Sequence, residues 1–188
     1  MKILVIGGGF FGTSVAIKIK EKYKKFSVTL VEKKKDIFLG ASGKNQFRCH
    51  SGYHYPRSNK TIEECRASFE EFNKYFGNTF IKSENYYAIS KENSKIDFNN
   101  YLKSLDKNHL KYKIIKTNLL NTSNVEGVIS VNEKIINIDL VRKKIWKYLN
   151  KLNVDVLLNK EIKLSNEVFL KYDKIILCTY DQNNNNLL

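Results

Sequence analysis

The chain has 188 residues, which is enough for one ordinary domain or two small ones and for a sizeable hydrophobic core. Hydrophobic residues make up 42% of the sequence and aromatic residues 12%, which excludes disorder along most of its length. Lys and Arg number 33 and Asp and Glu 19, which gives a formal net charge of +14. Nearly all these cations are lysines scattered over every segment, whereas a nucleic-acid site needs basic residues grouped on one face, so we predict no specific nucleic-acid partner.

The cysteines and the apolar runs indicate the compartment. Cys49, Cys65 and Cys178 are odd in number and lack the spacing of metal ligands, so the sequence predicts neither a disulfide framework nor a metal site. The apolar run at the N-terminus is too short for a signal peptide, and no run approaches the roughly 18 apolar residues of a membrane span. We therefore expect a cytoplasmic protein without a membrane span, and the sequence leaves the oligomeric state open.

The chain begins with a complete strand–turn–helix–strand unit. Residues 3–6 form a wholly apolar run, typical of a strand buried on both faces of a parallel sheet. Three glycines follow at once, then a helical segment with lysines at its far end, and a second apolar strand over residues 27–31. This order predicts an α/β fold whose parallel sheet begins with these two strands.

The glycine turn has the spacing of a dinucleotide fingerprint. Gly7 permits the tight turn, Gly9 allows a pyrophosphate to approach the backbone, and Gly12 allows the helix to pack closely on the strand. Free amides and the dipole at the helix start would hold the phosphates. Glu32 follows Gly12 by 20 residues and would accept hydrogen bonds from the adenosine ribose, and its charge argues against NADP. The same site is predicted to include the neighbouring residues Phe10, Phe11 and Lys33.

The rest of the chain alternates between loops, helices and strands. Residues 33–59 read as a long functional loop, rich in small, amide, basic and imidazole groups. We predict helices over 61–76, with a capping box from Thr61 to Glu64, over 97–107, and over 139–152 capped by Asp139. The aromatic stripe of the first of these helices is predicted to be core. Strands are predicted over 80–90, 112–116, 125–137, 154–158 and 175–180, with a small hairpin over 160–170.

Three segments together resemble the FAD-dependent oxidoreductases of the D-amino-acid oxidase class. They are the opening unit, the stretch GASGKNQFRCHSGYHYP from Gly40 to Pro56, and the closing segment 172–184. The resemblance is strongest to the branch that contains L-2-hydroxyglutarate oxidases and dehydrogenases, whose Ser-Gly-Arg-Asn block and His-x-Gly run are matched at Ser42 to Asn45 and at His50 to Gly52. The resemblance covers essentially the whole chain, but this chain corresponds only to the first half of a typical member of the family.

The resemblance implies FAD as the cofactor and assigns further residues to it. Ser42, Lys44 and Asn45 would lie along the pyrophosphate and ribityl chain, and Thr179 would lie where the family's Ala-Thr-Gly strand end approaches the cofactor. The sequence departs from the family at Lys44, which replaces arginine, and at Tyr180, which replaces the glycine.

The resemblance also implies the residues that meet the substrate, a small molecule of the hydroxy-acid or amino-acid type. His50 would lie near the flavin ring, and either His50 or His54 would serve as a base, with covalent attachment of flavin to a histidine as the less favoured alternative. Arg48 and Tyr55 are candidate substrate residues, since a cation there would bind a carboxylate. The alternative is that each histidine only forms hydrogen bonds with neighbouring groups and has no catalytic role.

The predicted fold is therefore a Rossmann-like, FAD- or NAD(P)-binding parallel sheet with helices, plus part of a smaller antiparallel substrate domain. We assign 1–78 to the FAD-binding part with its flavin-contact loop, 79–135 to the partial substrate-binding sheet, and 136–188 to a return to the FAD-binding domain. Three alternatives remain: an NAD-binding Rossmann protein, a truncated non-catalytic nucleotide-binding remnant and, more distantly, a basic nucleic-acid-binding module.

Overall fold

The structure is a computed structural model that describes residues 1–180, with the side chain of residue 122 excepted. Residues 181–184 of the closing segment used for the family resemblance lie outside the described residues. The described strands are β1 (Lys2–Ile6), β2 (Ser27–Val31), β3 (Arg48–Cys49), β4 (Phe80–Ile81), β5 (Asn85–Ser90), β6 (Lys113–Ile115), β7 (Val125–Val131), β8 (Lys134–Ile136), β9 (Asp155–Leu157) and β10 (Lys174–Leu177). The described α-helices are α1 (Phe10–Lys22), α2 (Asn59–Phe76), α3 (Phe98–Lys107), α4 (Ile138–Lys151) and α5 (Asn166–Lys171).

The chain divides into two compact units. The first comprises Met1–Asn45 together with the described residues from Ile138 onward, and the second comprises Gln46–Asn137. The predicted division placed its first boundary after residue 78, whereas α2 belongs to the second unit because its buried Ile62 is part of that unit's hydrophobic core. What each unit binds stays a prediction at this point.

The first unit contains a parallel sheet in the order β10-β1-β2-β9. Leu4, Val5 and Leu30 are fully buried in it, as wholly apolar strands of a parallel sheet require. On one face, Ile162, Leu164 and Val168 pack against a cluster built on Leu4. The predicted α/β class and its parallel sheet are confirmed.

The second unit contains two three-stranded antiparallel sheets, in the orders β3-β8-β4 and β5-β7-β6. The buried side chains of its core come from all its parts: Tyr53, Ile62, Tyr101, Leu105, Leu110, Ile129 and Val131. Two hydroxyls are satisfied inside this core, since Tyr53 donates to the carbonyl of Lys111 at 2.6 Å and Tyr101 donates to the carbonyl of Tyr53 at 3.1 Å. The antiparallel part predicted from the sequence is therefore present.

Several local predictions are corrected by the structure. Helix α2 begins at Asn59, and its cap is the hydroxyl of Ser58, which accepts a hydrogen bond from the Thr61 amide at 3.3 Å; the predicted capping box at Thr61 is wrong. Helix α4 begins at Ile138, so Asp139 lies in its first turn instead of capping it. The predicted hairpin over 160–170 is wrong as well, because α5 occupies 166–171 and no strand is assigned over 160–165.

The aromatic stripe of α2 is only partly core. Phe76 is buried, while Phe69 and Phe72 are half-buried. The rings of Phe69 and Phe72 stack on Phe80 with centroid distances of 5.8 and 6.1 Å. Within residues 1–180, no helix has the length and apolar character needed to span a membrane.

Candidate functional site

A groove of about 1420 Å³ lies in the first unit at the carboxyl ends of β1, β2 and β10. In parallel α/β sheets this edge is where ligands bind. Its lining includes most of the residues predicted to contact the cofactor: Gly7, Gly9, Phe10, Phe11, Glu32, Lys33, Ser42, Asn45 and Thr179. Two others do not line it, since Gly12 packs behind the turn and Lys44 is exposed just after the 3₁₀ turn Ala41–Gly43.

The turn between β1 and α1 requires glycine for two separate reasons. Gly7 has a φ of +111°, a conformation that side chains rarely adopt, and a Cβ there would lie 2.4 Å from the carbonyl oxygen of Cys178. At Gly12 a Cβ would lie 1.8 Å from the carbonyl oxygen of Gly7. Helix α1 therefore crosses the end of β1 at a distance that excludes any side chain, as the fingerprint predicts.

The start of α1 offers its amides to the groove. Its N-cap residue Gly9 has no side chain to cap the helix, and the first turn contains no acidic residue. The hydroxyl of Ser42 instead accepts a hydrogen bond from the Phe10 amide at 3.0 Å. A Cβ added to Gly9 would lie 2.8 Å from that hydroxyl. The bare backbone and the uncharged first turn fit an anionic group such as a pyrophosphate.

Glu32 directly follows β2 and lines the same groove. Its two carboxylate oxygens accept hydrogen bonds from the amides of Gly8 at 2.7 Å and Lys34 at 2.9 Å. These bonds hold the carboxylate rigidly, and each oxygen keeps a second lone pair for a hydroxyl donor. The geometry suits recognition of a ribose, which is the role predicted for this residue.

Phe38 belongs to this region although the sequence did not single it out. It is fully buried, adopts a φ of +61°, and donates its amide to the carbonyl of Gly8 at 3.0 Å. Its ring meets that of Phe10 edge to face at 4.6 Å. A left-handed backbone at a phenylalanine costs of order 1–3 kcal/mol, so the packing around the turn must impose it. No sequence pattern reveals such a conformation in advance.

The second unit contains the predicted substrate-side residues. The rings of His50 and His54 lie 5.6 Å apart between centroids, and Tyr55 lies within 6.1 Å of His50 and 5.3 Å of His54. His54 is exposed, whereas His50 and Tyr55 are half-buried. The guanidinium of Arg48 lies over the ring of Tyr87 at 5.3 Å. The structure therefore brings the two histidines and Tyr55 together.

A buried carboxylate that the sequence analysis missed lies beside His50. Glu133, in the turn between β7 and β8, is 1% exposed, and its oxygens accept hydrogen bonds from the Ser51 amide at 2.8 Å and the Tyr87 hydroxyl at 2.6 Å. Nδ1 of His50 lies 3.8 Å from Oε1 of Glu133, an ion-pair distance. No sequence signal identified Glu133, because a glutamate in a short turn normally faces solvent.

The environment of Glu133 shifts the pKa of several groups. Burial alone would raise the pKa of its carboxyl, but the nearby imidazole of His50, the Tyr87 hydroxyl and the Ser51 amide outweigh burial and lower it. Burial, reinforced by the negative charge of Glu133, raises the pKa of the Cys49 thiol to about 11. The same two causes, together with the hydrogen bond to Glu133, raise the pKa of Tyr87. The ionised form is thus favoured for Glu133, and the neutral form is favoured for Cys49 and Tyr87.

Comparison with known proteins identifies the family. A family model described as FAD dependent oxidoreductase matches residues 2–179. The chain is 29% identical over 133 residues to the FAD-dependent monooxygenase FPY4 of Fusarium mangiferae, an alignment that covers 70% of this chain and 36% of that protein. It is 27% identical over 74 residues to the L-2-hydroxyglutarate dehydrogenase of Indibacter alkaliphilus, covering 39% of this chain and 18% of the relative.

The fold is shared with solved structures. The L-alpha-glycerophosphate oxidase of Mycoplasma pneumoniae, determined with FAD bound, aligns with a TM-score of 0.65 at 19% identity. That alignment covers 86% of this chain and 45% of the oxidase. In each of these comparisons, the alignment covers less than half the length of the relative.

Proposed function

Because the chain belongs to the family of FAD-dependent oxidoreductases, we propose that its first unit binds FAD in the groove beside α1. The observation that carries this proposal is the first turn of α1, which lines the groove, contains no acidic side chain and has no side-chain cap from its N-cap residue Gly9. Four lysines and two glutamates line the groove, which favours an anionic ligand: Lys33, Lys34, Lys160, Lys163, Glu32 and Glu161.

The proposal assigns parts of FAD to particular residues. The amides at the start of α1 and the Ser42 hydroxyl bind the pyrophosphate, and Glu32 binds the adenosine ribose. Asn45 and Thr179 line the groove and serve the rest of the cofactor. Family membership favours FAD over the NAD alternative, and the Glu32 carboxylate disfavours a 2′-phosphate by charge repulsion.

Substitution of Gly9 by alanine tests the cofactor site. A Cβ at this position meets the Ser42 hydroxyl at 2.8 Å and covers the surface on which the pyrophosphate would lie. We expect Gly9→Ala to weaken FAD binding about tenfold or more, measured by calorimetric titration and by the absorption spectrum of retained flavin. Gly40→Ala is the matched control, since Gly40 also lines the groove and a Cβ there has nothing within 4 Å. Equal affinities in the two variants would contradict the proposed site.

We further propose that the protein oxidises a small hydroxy-acid or amino-acid-like substrate, with four candidate substrate-side residues: Arg48, His50, His54 and Tyr55. When bound, the flavin accepts a hydride from a C–H bond next to a hydroxyl or an amine. Either His50 or His54 takes the proton of that hydroxyl or amine, since imidazole titrates near neutral pH. Arg48 supplies a cation for a carboxylate, and Tyr55 supplies a phenol beside both histidines.

The rate of flavin reduction tests these assignments. We expect His50→Asn to lower the reduction rate about 100-fold, and His54→Asn to do so if His54 is the base instead. His109→Asn is the control, because His109 is exposed and its φ of +55° suits asparagine. Arg48→Ala should raise the substrate KM, and an unchanged KM would remove Arg48 from the substrate site.

A second candidate reaction is monooxygenation, which is favoured by the likeness to the Fusarium protein with that name. The two reactions differ in the fate of oxygen. Turnover under ¹⁸O₂ followed by mass spectrometry of the product distinguishes them. Label in the product supports the monooxygenase, whereas an unlabelled ketone or imine product supports simple hydride removal.

We also propose a cytoplasmic protein that acts on small molecules and binds no specific nucleic acid. The proposal rests on three cysteines that are unpaired in the described structure and on lysines distributed over every segment. Cell fractionation tests the compartment. Steep salt-dependent binding to arbitrary DNA, without retained flavin, would contradict the assignment of partners.

A further inference from the structure

The carboxylate of Glu133 is the most completely buried charge of the second unit. Its side chain is 0% exposed, and each of its oxygens accepts one hydrogen bond, from the Ser51 amide and from the Tyr87 hydroxyl. Burying an ion in this way is expensive unless it is well paired, and an apolar side chain of similar volume would often serve stability as well. The position therefore calls for an explanation beyond packing.

The imidazole of His50 supplies that explanation. Among the described residues, its Nδ1 atom is buried and has no hydrogen-bond partner, and it lies 3.8 Å from Oε1 of Glu133. The side chain as a whole is 33% exposed, so the accessible part of the ring lies away from Nδ1. Nδ1 therefore lies on the buried, carboxylate side of the ring, while another part of the side chain is accessible.

We propose that Glu133 is a positioning residue that holds His50 with a proton on Nδ1 directed at the carboxylate and with Nε2 unprotonated. A neutral imidazole has one donor and one acceptor nitrogen, and a neighbouring carboxylate favours the donor on its own side. Free histidine prefers the opposite tautomer, so the preference would be imposed by the fold.

This tautomer suits His50 for its proposed role as the base that takes a proton from the substrate. For the identity of that substrate, the inference rests on the proposed function. Nε2 takes the proton that leaves the substrate hydroxyl or amine, and the ring becomes an imidazolium whose charge lies beside the Glu133 carboxylate. No proton passes to Glu133. The pair is thereby the same kind of carboxylate–imidazole couple that orients the base in hydrolase triads.

Other groups face this pair and must be considered. His54 and Tyr55 approach His50 from the segment that follows it, at 5.6 and 6.1 Å between ring centroids. Five titratable groups in addition to His50 lie within the influence of the Glu133 charge: Tyr87, Cys49, Tyr53, Cys65 and Tyr101. The raised pKa of each of these keeps it neutral near pH 8, so within this set Glu133 is the anion that faces His50.

The tautomer of His50 tests the inference directly and needs neither flavin nor substrate. The full chain labelled with ¹⁵N-histidine contains only three imidazoles, so His54→Asn and His109→Asn assign the signals. Two-bond ¹H–¹⁵N spectra at about pH 8 distinguish a protonated Nδ1 from a protonated Nε2. We expect His50 to be protonated on Nδ1 in the unaltered chain, and a His50 signal from protonated Nε2 would overturn the proposal whether or not any variant of Glu133 folds.

Three variants separate positioning from packing. Glu133→Met removes the acceptor at similar volume and should move the proton of His50 to Nε2. Glu133→Gln keeps an oxygen acceptor and should retain much of the Nδ1–H tautomer. Tyr87→Phe removes a hydrogen bond to Glu133 without touching His50 and should leave the tautomer unchanged. A Glu133→Met protein that folds and keeps Nδ1–H would overturn the proposal.

Kinetics supply a second readout that depends on the proposed function. Glu133→Met should lower kcat about tenfold or more with little change in KM, and the loss should disappear in a His50→Asn background because the two residues act as one unit. Additive losses in the double variant would contradict positioning. If His50→Asn leaves the reaction rate unchanged, the proposed role of His50 fails while the tautomer measurement still decides the role of Glu133.

Discussion

At the scale of single residues, Glu133 couples the stability of the second unit to pH. Its pKa is lower in the folded protein than in the unfolded chain, so the unfolded chain binds the proton first as pH falls. The stabilisation is therefore fully present above the ordinary glutamate pKa and is lost as pH falls from about 5 through the folded pKa.

Glu133→Gln should reveal this coupling. At pH 7 we expect the variant to lose about 1–3 kcal/mol of unfolding free energy, because the Ser51 amide and the Tyr87 hydroxyl are left with a neutral partner. The difference from the unaltered protein should shrink as pH falls below about 5. Urea titrations at both pH values measure it. Glu63→Gln, on the exposed side of α2, is the control, and a pH-independent difference would exclude Glu133 as the titrating group.

The thiol of Cys49, in the two-residue strand β3, should react slowly because its pKa is raised. With a pKa of about 11 against 9.0 for an ordinary thiol, its thiolate population near pH 8 is about a hundredfold lower. We expect iodoacetamide to label Cys49 at least about a hundredfold more slowly than a reference peptide thiol, as followed by peptide mass spectrometry. In urea all three cysteines should react alike. Rapid labelling of Cys49 in the folded protein would contradict its shifted pKa.

At the scale of elements, the success of the sequence analysis depended on how local the determinants were. The β1–α1–β2 unit was predictable because its apolar runs, its glycines and Glu32 are close in sequence, and the role of each depends on contacts within that unit. Glu133 was not, because its partners Ser51 and Tyr87 lie 82 and 46 residues away along the chain. A buried ion is defined by such distant contacts, and its own sequence neighbourhood gives no sign of them.

The hairpin predicted over residues 160–170 was wrong for a different physical reason. Ile162 and Leu164 alternate with polar residues as in a strand, and both do pack against the core of the first unit. Period-two burial, however, needs only an extended backbone, and the segment has no ladder partner among the described residues. Val168 then continues the contact from a short helix that follows Ser165. The apolar pattern therefore identified side chains that do pack on the core, where they are half-buried, but it predicted the wrong secondary structure.

Gly12→Ala tests how strictly α1 is tied to β1. The added Cβ would lie 1.8 Å from the carbonyl oxygen of Gly7, which is backbone and cannot turn away. Helix and strand must separate, and we expect a loss of about 1–3 kcal/mol or more of unfolding free energy in urea titrations. Gly40→Ala has open space around its Cβ and should change stability by less than about 0.5 kcal/mol. Similar effects of the two substitutions would contradict the close helix–strand contact.

At the scale of the whole molecule, the single tryptophan offers a probe of one unit only. Trp146 lies on α4 in the first unit, half-buried, and its Nε1 atom donates to Oδ1 of Asp36 at 2.9 Å. Its emission maximum therefore reports the unfolding of the unit proposed to bind FAD. Far-UV circular dichroism reports the helices and strands of both units together.

FAD should raise the urea midpoint reported by Trp146. A ligand that binds only the folded protein adds about 2.7 kcal/mol when present at 100 times its Kd, so the shift must grow with FAD concentration. We expect a tenfold loss of affinity in Gly9→Ala to cut the stabilisation at the same concentration to about 1.4 kcal/mol, and we expect Gly40→Ala to keep the full shift, because only the first substitution covers the start of α1. NAD at equal concentration should produce a smaller shift. An equal or larger shift with NAD would favour the NAD-binding alternative. Because both cofactors share the adenosine diphosphate part, a difference between their shifts reports the binding of the remainder.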